Sequence, residues 1–318
     1  MLDNVKSKMI LKMIMEHIRP KLKLKIVKNN KTLINKLNLT IKDFQRFEKI
    51  KKINNKYGLH LNDEEIIKNL NFNMNFAKNK ILEELMDLKL DKLEKLNLNY
   101  NEITNIDLLE NLEFPKLKIL ILSNNKIKDI KVLEKVEFKE LEKLDLEGNN
   151  ISNMKVLENV KFEKLEILNI SDNNIEDINF LKNVNFKDLK ELDLYFNKIS
   201  DIDVLEKVHF EKLEILNLNS NNISNIDILE KVNFKELQKL FLSHNKINNM
   251  EILQKVNFQK LKDLYLSYNK IQDIDSLSVI SNLKNINKIF LNNNSIPNSK
   301  ISSTDNFGKI IFDYYINY

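Results

Sequence analysis

The sequence predicts an α/β solenoid, a stack of similar rungs that each add one short strand to a parallel sheet and one short helical or 3-10 segment to the other side. Three observations predict it. From Leu93 the pattern L-x-x-L-x-L-x-x-N-x-I-x-x-I-x-x-L-x-x-V-x-F-x-x recurs at a fixed period, beginning at Leu93, Leu117, Leu141, Leu165, Leu189, Leu213, Leu237 and Leu261. A fixed period of this size marks stacked units that bury a shared core. Within the repeat, L-x-L alternates as a half-buried strand does, Leu144 and Leu146 being one instance. The Ile, Ile, Leu and Val that follow are spaced three apart, which suits a short helical or 3-10 segment.

Taken in order along the chain, residues 1–79 read as a basic helical region. Apolar spacing in Met9, Ile10, Met13, Ile14 and Ile18 suits an amphipathic helix ending at Pro20, a second helix fits about 22–37, and Asp63-Glu64-Glu65 after Asn62 reads as a capped helix start. Residues 80–92 read as a degenerate half-repeat that caps the array. Leu82, Leu85, Leu88 and Leu90 sit where the Ile, Leu, Val and Phe of a preceding repeat would fall, and the half-repeat is read without a strand of its own. Residues 93–297 hold about nine repeats, the last beginning one residue late near Ile286. Residues 298–318 form a C-terminal cap, in which the Ile-, Phe- and Tyr-rich stretch 308–318 covers the last rung.

The asparagine of the motif recurs without a miss as Asn101, Asn125, Asn149, Asn173, Asn197, Asn221, Asn245, Asn269 and Asn294. An amide both donates and accepts, so stacked copies make a ladder that satisfies backbone groups where the chain leaves the sheet. Phe114, Phe138, Phe162, Phe186, Phe210, Phe234 and Phe258 are read as an aromatic spine filling the interior.

These motifs over residues 93–296 are the pattern of leucine-rich repeats, and the I-x-x-I-x-x-L half resembles the SDS22-like subclass in a 24-residue variant. The resemblance implies a horseshoe with a parallel sheet on the concave side and short helices or 3-10 turns on the convex side. It also implies a narrower role, regulation of a protein phosphatase catalytic subunit, because members of the subclass grip that partner through acidic and aromatic concave residues. The helical arm, through Ile10–Ile18 and Lys21–Leu37, resembles F-box domains, which would imply a substrate adaptor of a ubiquitin ligase. The leading proline and the tryptophan usual in F-box domains are missing.

Composition narrows the remaining classes. Residues 1–60 carry 16 Lys and Arg against 4 Asp and Glu, whereas the whole chain carries 51 against 46, so a basic arm joins an acidic body. Nucleic-acid or membrane contact through that arm is a further alternative, although a basic patch by itself is weak evidence for it. There is no cysteine, which excludes disulfides and thiol chemistry. No window is apolar enough for a spanning helix, and Lys12 and Glu16 interrupt the one N-terminal apolar stretch. These features read as an intracellular protein, cytoplasmic in the first instance, with the nucleus as an alternative. Glycine occurs only at 58, 148 and 308, too sparsely for a phosphate loop or a dinucleotide fingerprint. The four histidines show no metal-ligand spacing. The expectation is therefore a non-enzymatic monomer without cofactor, metal or small-molecule substrate, working as a protein-protein interaction scaffold.

Its partner would meet the variable positions of the sheet. Ile119, Ile121, Asp145, Asp193, Phe241, Tyr265 and Phe290 lie at outward positions of the strands, and Tyr195, Phe196, His244 and Tyr268 further along the strand are read as adding to the same side. Folding asks nothing apolar of these positions, so their rings point to binding.

Overall fold

The computed structural model describes residues 68–72, 78–86, 88, 90–273, 283 and 285–297, the backbone of 310–311, and the single positions 52 and 56. The chain divides into two units, Met1–Asn62 with Asp87–Lys89, and Asp63–Met86 with Leu90–Tyr318. The second unit holds the repeats. The helices expected within residues 1–67, and the segment with the F-box resemblance, lie outside the described residues.

The second unit is one open parallel sheet of eleven strands whose spatial order is their sequence order. They are β1 (Asn69–Asn71), β2 (Lys95–Asn97), β3 (Ile119–Ile121), β4 (Lys143–Asp145), β5 (Ile167–Asn169), β6 (Glu191–Asp193), β7 (Ile215–Asn217), β8 (Lys239–Phe241), β9 (Asp263–Tyr265), β10 (Lys288–Phe290) and β11 (Ile310–Ile311). From β2 to β9 each strand pairs with the next in a register of one full repeat, as in Leu144 against Leu168. With neighbouring strands about 4.8 Å apart, the sheet runs roughly 48 Å.

Each strand is short because two leucines serve one buried line. Leu96 and Leu98, or Leu144 and Leu146, are fully buried, while the residues between them lie on the other face of the sheet. The chain then returns through a 3-10 turn, seven of them among the described residues: Asp107–Asn111, Lys131–Glu134, Lys155–Glu158, Asn179–Asn183, Asp203–Lys207, Asp227–Glu230 and Glu251–Gln254. Two positions before every one of these turns stands an Asn or Asp whose side-chain oxygen accepts the backbone N–H of the turn's first residue, as Asp129 does from Lys131 at 2.9 Å. The phenylalanine spine is buried, with Phe114, Phe138 and Phe162 stacked at 6.1 and 6.2 Å.

The N-terminal end departs from the sequence-based expectation. The half-repeat does own a strand: β1 pairs with β2 through Leu70 against Leu96, and Leu70 and Phe72 are buried like the leucines of later rungs. It escaped the period because Leu70 precedes Leu96 by more than one repeat and phenylalanine replaces the second leucine. A short helix, α1 (Lys80–Leu85), stands where later repeats have a 3-10 turn and buries Ile81, Leu82 and Leu85. At the other end β10 pairs with β9 through Ile289 against Leu264, one position beyond the period, and β11 adds a further parallel strand beyond it.

Candidate functional site: the open face of the sheet

The site is a surface, and its geometry follows from the register. An in-register parallel sheet places the same repeat position of successive rungs side by side, so each variable position becomes a column. The ladder asparagines hold these columns in place. Asn173 donates from Nδ2 to the carbonyls of Leu146, Ile170 and Ser171, and its Oδ1 accepts the N–H of Ile151 at 3.0 Å. The arrangement recurs from Asn125 to Asn294, each amide tying its own rung to the one before. Asn101 begins the series by donating to the carbonyl of Phe72, just past β1.

The column made by the last residue of each strand from β2 to β10 runs Asn97, Ile121, Asp145, Asn169, Asp193, Asn217, Phe241, Tyr265 and Phe290. Ile119 and Ile121 of β3 are half-buried. Asp145 is buried: its Oδ1 accepts the N–H of Glu147 at 3.2 Å, and Lys143 Nζ stands 4.0 Å from Oδ2. Asp193 accepts the N–H of Tyr195 at 2.8 Å and the amide of Asn217 at 3.1 Å. The strand of Asn169 lies between them. Burial, more than any neighbour, raises both carboxyls above the ordinary aspartate value; the backbone N–H groups they accept pull the other way.

Aromatic rings fill the same column at its far end. Phe241, Tyr265 and Phe290 are Cα partners in the sheet and stack in one pile, with centroids 4.3 and 4.5 Å apart and planes within 10° of parallel. They were expected as exposed anchors. They are instead half-buried, because register brings consecutive rings face to face.

Tyr195, Phe196, His244 and Tyr268 were expected further along the strands, but the strands end before them, at Asp193, Phe241 and Tyr265. They belong to the turn that leaves the sheet. The residue before each ladder asparagine has positive φ: Tyr100, Asn124, Gly148, Asp172, Phe196, Ser220, His244, Tyr268 and Asn293. Glycine, asparagine and aspartate tolerate that conformation, and their use at four of the nine positions was a legible signal the sequence reading missed. Bulky residues rarely adopt it, yet rings occupy four others. Phe196 is 55% exposed and Tyr268 is 50% exposed. His244 stacks on Tyr268 at 4.1 Å, and burial lowers its pKa. Tyr195 tilts against Phe196 at 5.8 Å. Of the five large apolar side chains exposed among the described residues, four (Tyr100, Tyr195, Phe196 and Tyr268) lie along this one edge, so they form a feature of the fold and not scatter.

Other chemistry is sparse. Among the described residues no group of three His, Asp or Glu could hold a metal ion, and no helix is long and apolar enough to cross a membrane. A cleft of about 670 Å³ on the side of the 3-10 turns is lined by Asp227, Glu230, Glu251 and Asp273, by amides, and by Lys255, whose Nζ stands 3.9 Å from Glu230.

The comparisons agree with this architecture. A family model described as leucine-rich repeats (2 copies) matches residues 91–135, 115–159 and 163–207. The fold is that of a leucine-rich-repeat solenoid. Similar solved structures include a leucine-rich-repeat protein of Leptospira interrogans, at 26% identity and TM-score 0.57, covering 73% of this chain and 62% of that one. Internalin C2 of Listeria monocytogenes is 23% identical with TM-score 0.53, over 66% of this chain and 83% of that one. The functional domain of InlJ from Listeria monocytogenes is 20% identical with TM-score 0.51, over 73% and 50%. That protein is described as including a cysteine ladder, whereas the present ladder is asparagine in a chain without cysteine. Comparison with curated protein sequences gives no match.

Proposed function

We propose that this protein is a non-catalytic interaction scaffold that grips another protein across the open sheet face and along its aromatic edge. One observation carries the reading. Rings stand at positions of left-handed backbone, where a non-glycine residue costs on the order of 1 kcal/mol and a small polar residue serves the fold better. Four neighbouring rungs show the alternative, with Asn124, Gly148, Asp172 and Ser220. Exposed rings kept against that cost are what a binding surface needs, since aromatic anchors dominate interface energetics.

The test is affinity purification with mass spectrometry from source cells, comparing the native chain with Phe196→Asn/Tyr268→Asn. Asparagine suits the left-handed backbone, so the variant is expected to melt no lower than the native chain while its specifically captured protein falls at least tenfold. Unchanged capture overturns the reading. The narrower roles are outcomes of the same experiment. A phosphatase catalytic subunit among the captured proteins would support the role implied by the SDS22-like resemblance, which the mixture of acidic and aromatic residues on this face favours. A ubiquitin-ligase core would support the adaptor role.

A further inference from the structure

The two halves of the sheet face differ in charge. Across β4–β6 and the turns leaving them, Asp145, Glu147, Asp172, Glu191 and Asp193 outnumber Lys143 and Lys198. Across β8–β10 and their turns the excess reverses, with Lys239, Lys246, Lys270 and Lys288 against Asp263 alone.

The fold neutralises charge elsewhere. On the flank of the rungs, lysines and carboxylates at the same repeat position bridge neighbouring rungs, as in Lys118–Glu142, Lys164–Glu140 and Lys190–Glu166. No ion pair among the described residues holds any of the four lysines of the β8–β10 half. In the other half, Asn97, Asn169 and Asn217 occupy the column of Asp145 and Asp193 and accept the same backbone hydrogen bond, so the fold does not require the charge there. One half thus presents lysines that no ion pair among the described residues holds, and the other presents carboxylates in excess of its lysines that the fold does not require, beside a pile of half-buried rings.

We propose that this face takes one extended polypeptide segment of a partner protein, basic where it crosses β4–β6 and acidic with aromatic or large apolar side chains where it crosses β8–β10. The proposal rests on the protein-binding reading above and adds the polarity of the partner. Six strand spacings of about 4.8 Å separate β4 from β10, roughly 29 Å, which an extended segment of about nine residues spans at about 3.3 Å each. A nucleic acid fits less well, because its uniform negative charge meets the acidic half. Opposed patches also set the direction in which the segment lies.

Three synthetic ten-residue peptides of identical composition test this by calorimetric titration of the full chain. One has arginines in its first half and glutamates with phenylalanines in its second, another has the halves reversed, and the third alternates the charges. One of the two block peptides is expected to bind at least tenfold more tightly than the alternating peptide. Asp145→Asn/Asp193→Asn and, separately, Lys239→Gln/Lys288→Gln should each remove that advantage while the circular dichroism spectrum stays native. Equal binding of all three peptides, no binding, or indifference to both double variants overturns the proposal. Sedimentation showing that the chain pairs with itself, and that the same variants separate the copies, also overturns it in favour of a second copy. If the peptides fail while Phe196→Asn/Tyr268→Asn still loses its captured protein, only the polarity falls and the scaffold stands.

Discussion

Asparagine and aspartate differ by two donors and one charge, and the repeat sorts them by that difference. At the ladder all nine residues are asparagine, because Nδ2 must donate to carbonyls while Oδ1 accepts. Before the 3-10 turns the recurring bond needs only an acceptor, and the series is mixed: Asn105 (whose Nδ2 also donates to Asp107), Asp129, Asn153, Asp177, Asp201, Asn225 and Asn249. Asn173→Asp is therefore expected to cost about 3 kcal/mol, since it sets a carboxylate against three carbonyls it can no longer satisfy, while Asn153→Asp should stay within about 0.5 kcal/mol. Urea midpoints of the two variants check the contrast. Asp145 and Asp193 make a third case. Their carboxyls are raised by burial, so the folded state favours the protonated form, and their ionisation opposes folding at neutral pH. Asp145→Asn/Asp193→Asn should raise the melting temperature at pH 7, and the gain should shrink as pH falls through the raised values and the native acids protonate. A constant gain across that window would contradict the burial argument. Asp129, Glu137, Glu140 and Asp188 have the opposite sign. They are lowered chiefly by hydrogen bonds, to backbone for Asp129 and to lysines for the others, so what they contribute is present at neutral pH and lost on acidification.

At the scale of the element, a rung is too small to fold alone. A three-residue strand and a four- or five-residue 3-10 turn close only against their neighbours. The phenylalanine spine is one means of closure, since the buried ring of Phe138 packs between those of Phe114 and Phe162. Phe138→Ala is expected to cost roughly 3–5 kcal/mol. In a stack whose units touch only their neighbours, the loss should appear as faster amide exchange in the rungs of β2, β3 and β4 before it appears further away. Uniform acceleration along the array would show the rungs to be coupled over longer range. The lysine-carboxylate pairs between rungs are exposed, and each contributes little. Their regular spacing works against slippage, because a shift of one rung would oppose like charges at several positions.

At the scale of the whole molecule, an open sheet must manage two edges. β11 covers the backbone edge of β10, and β1 stands outside β2. A chain ending at Pro297 lacks β11 and is expected to self-associate with rising concentration, visible as earlier elution in size-exclusion chromatography, because an unpaired strand edge recruits another. Unchanged elution would mean that the edge is protected by other means.

The interior of this array was legible in the sequence because each position meets the same physical demand in every repeat. Alternating leucines specify the strand, three-residue spacing specifies the 3-10 turn, and an amide that must both donate and accept specifies asparagine. Outward positions of the strands were legible for the same reason, from Ile119 to Phe290. The exits from the sheet were legible only in part, through the Gly, Asn and Asp at four of the nine positions. Phe196, His244 and Tyr268 look like strand continuations until the left-handed backbone turns them out, a conformation the larger side chains at that position conceal. Nor could spacing show β1, where the period stretches between Leu70 and Leu96, or the strand pairing made by β11 across a break in the pattern. The sequence by itself determined the rung, since that follows from local periodicity and hydrogen-bond chemistry. Only the tertiary structure decided which rungs end the sheet, which rings pile against each other and which stand free, because those depend on register between segments a full repeat or more apart.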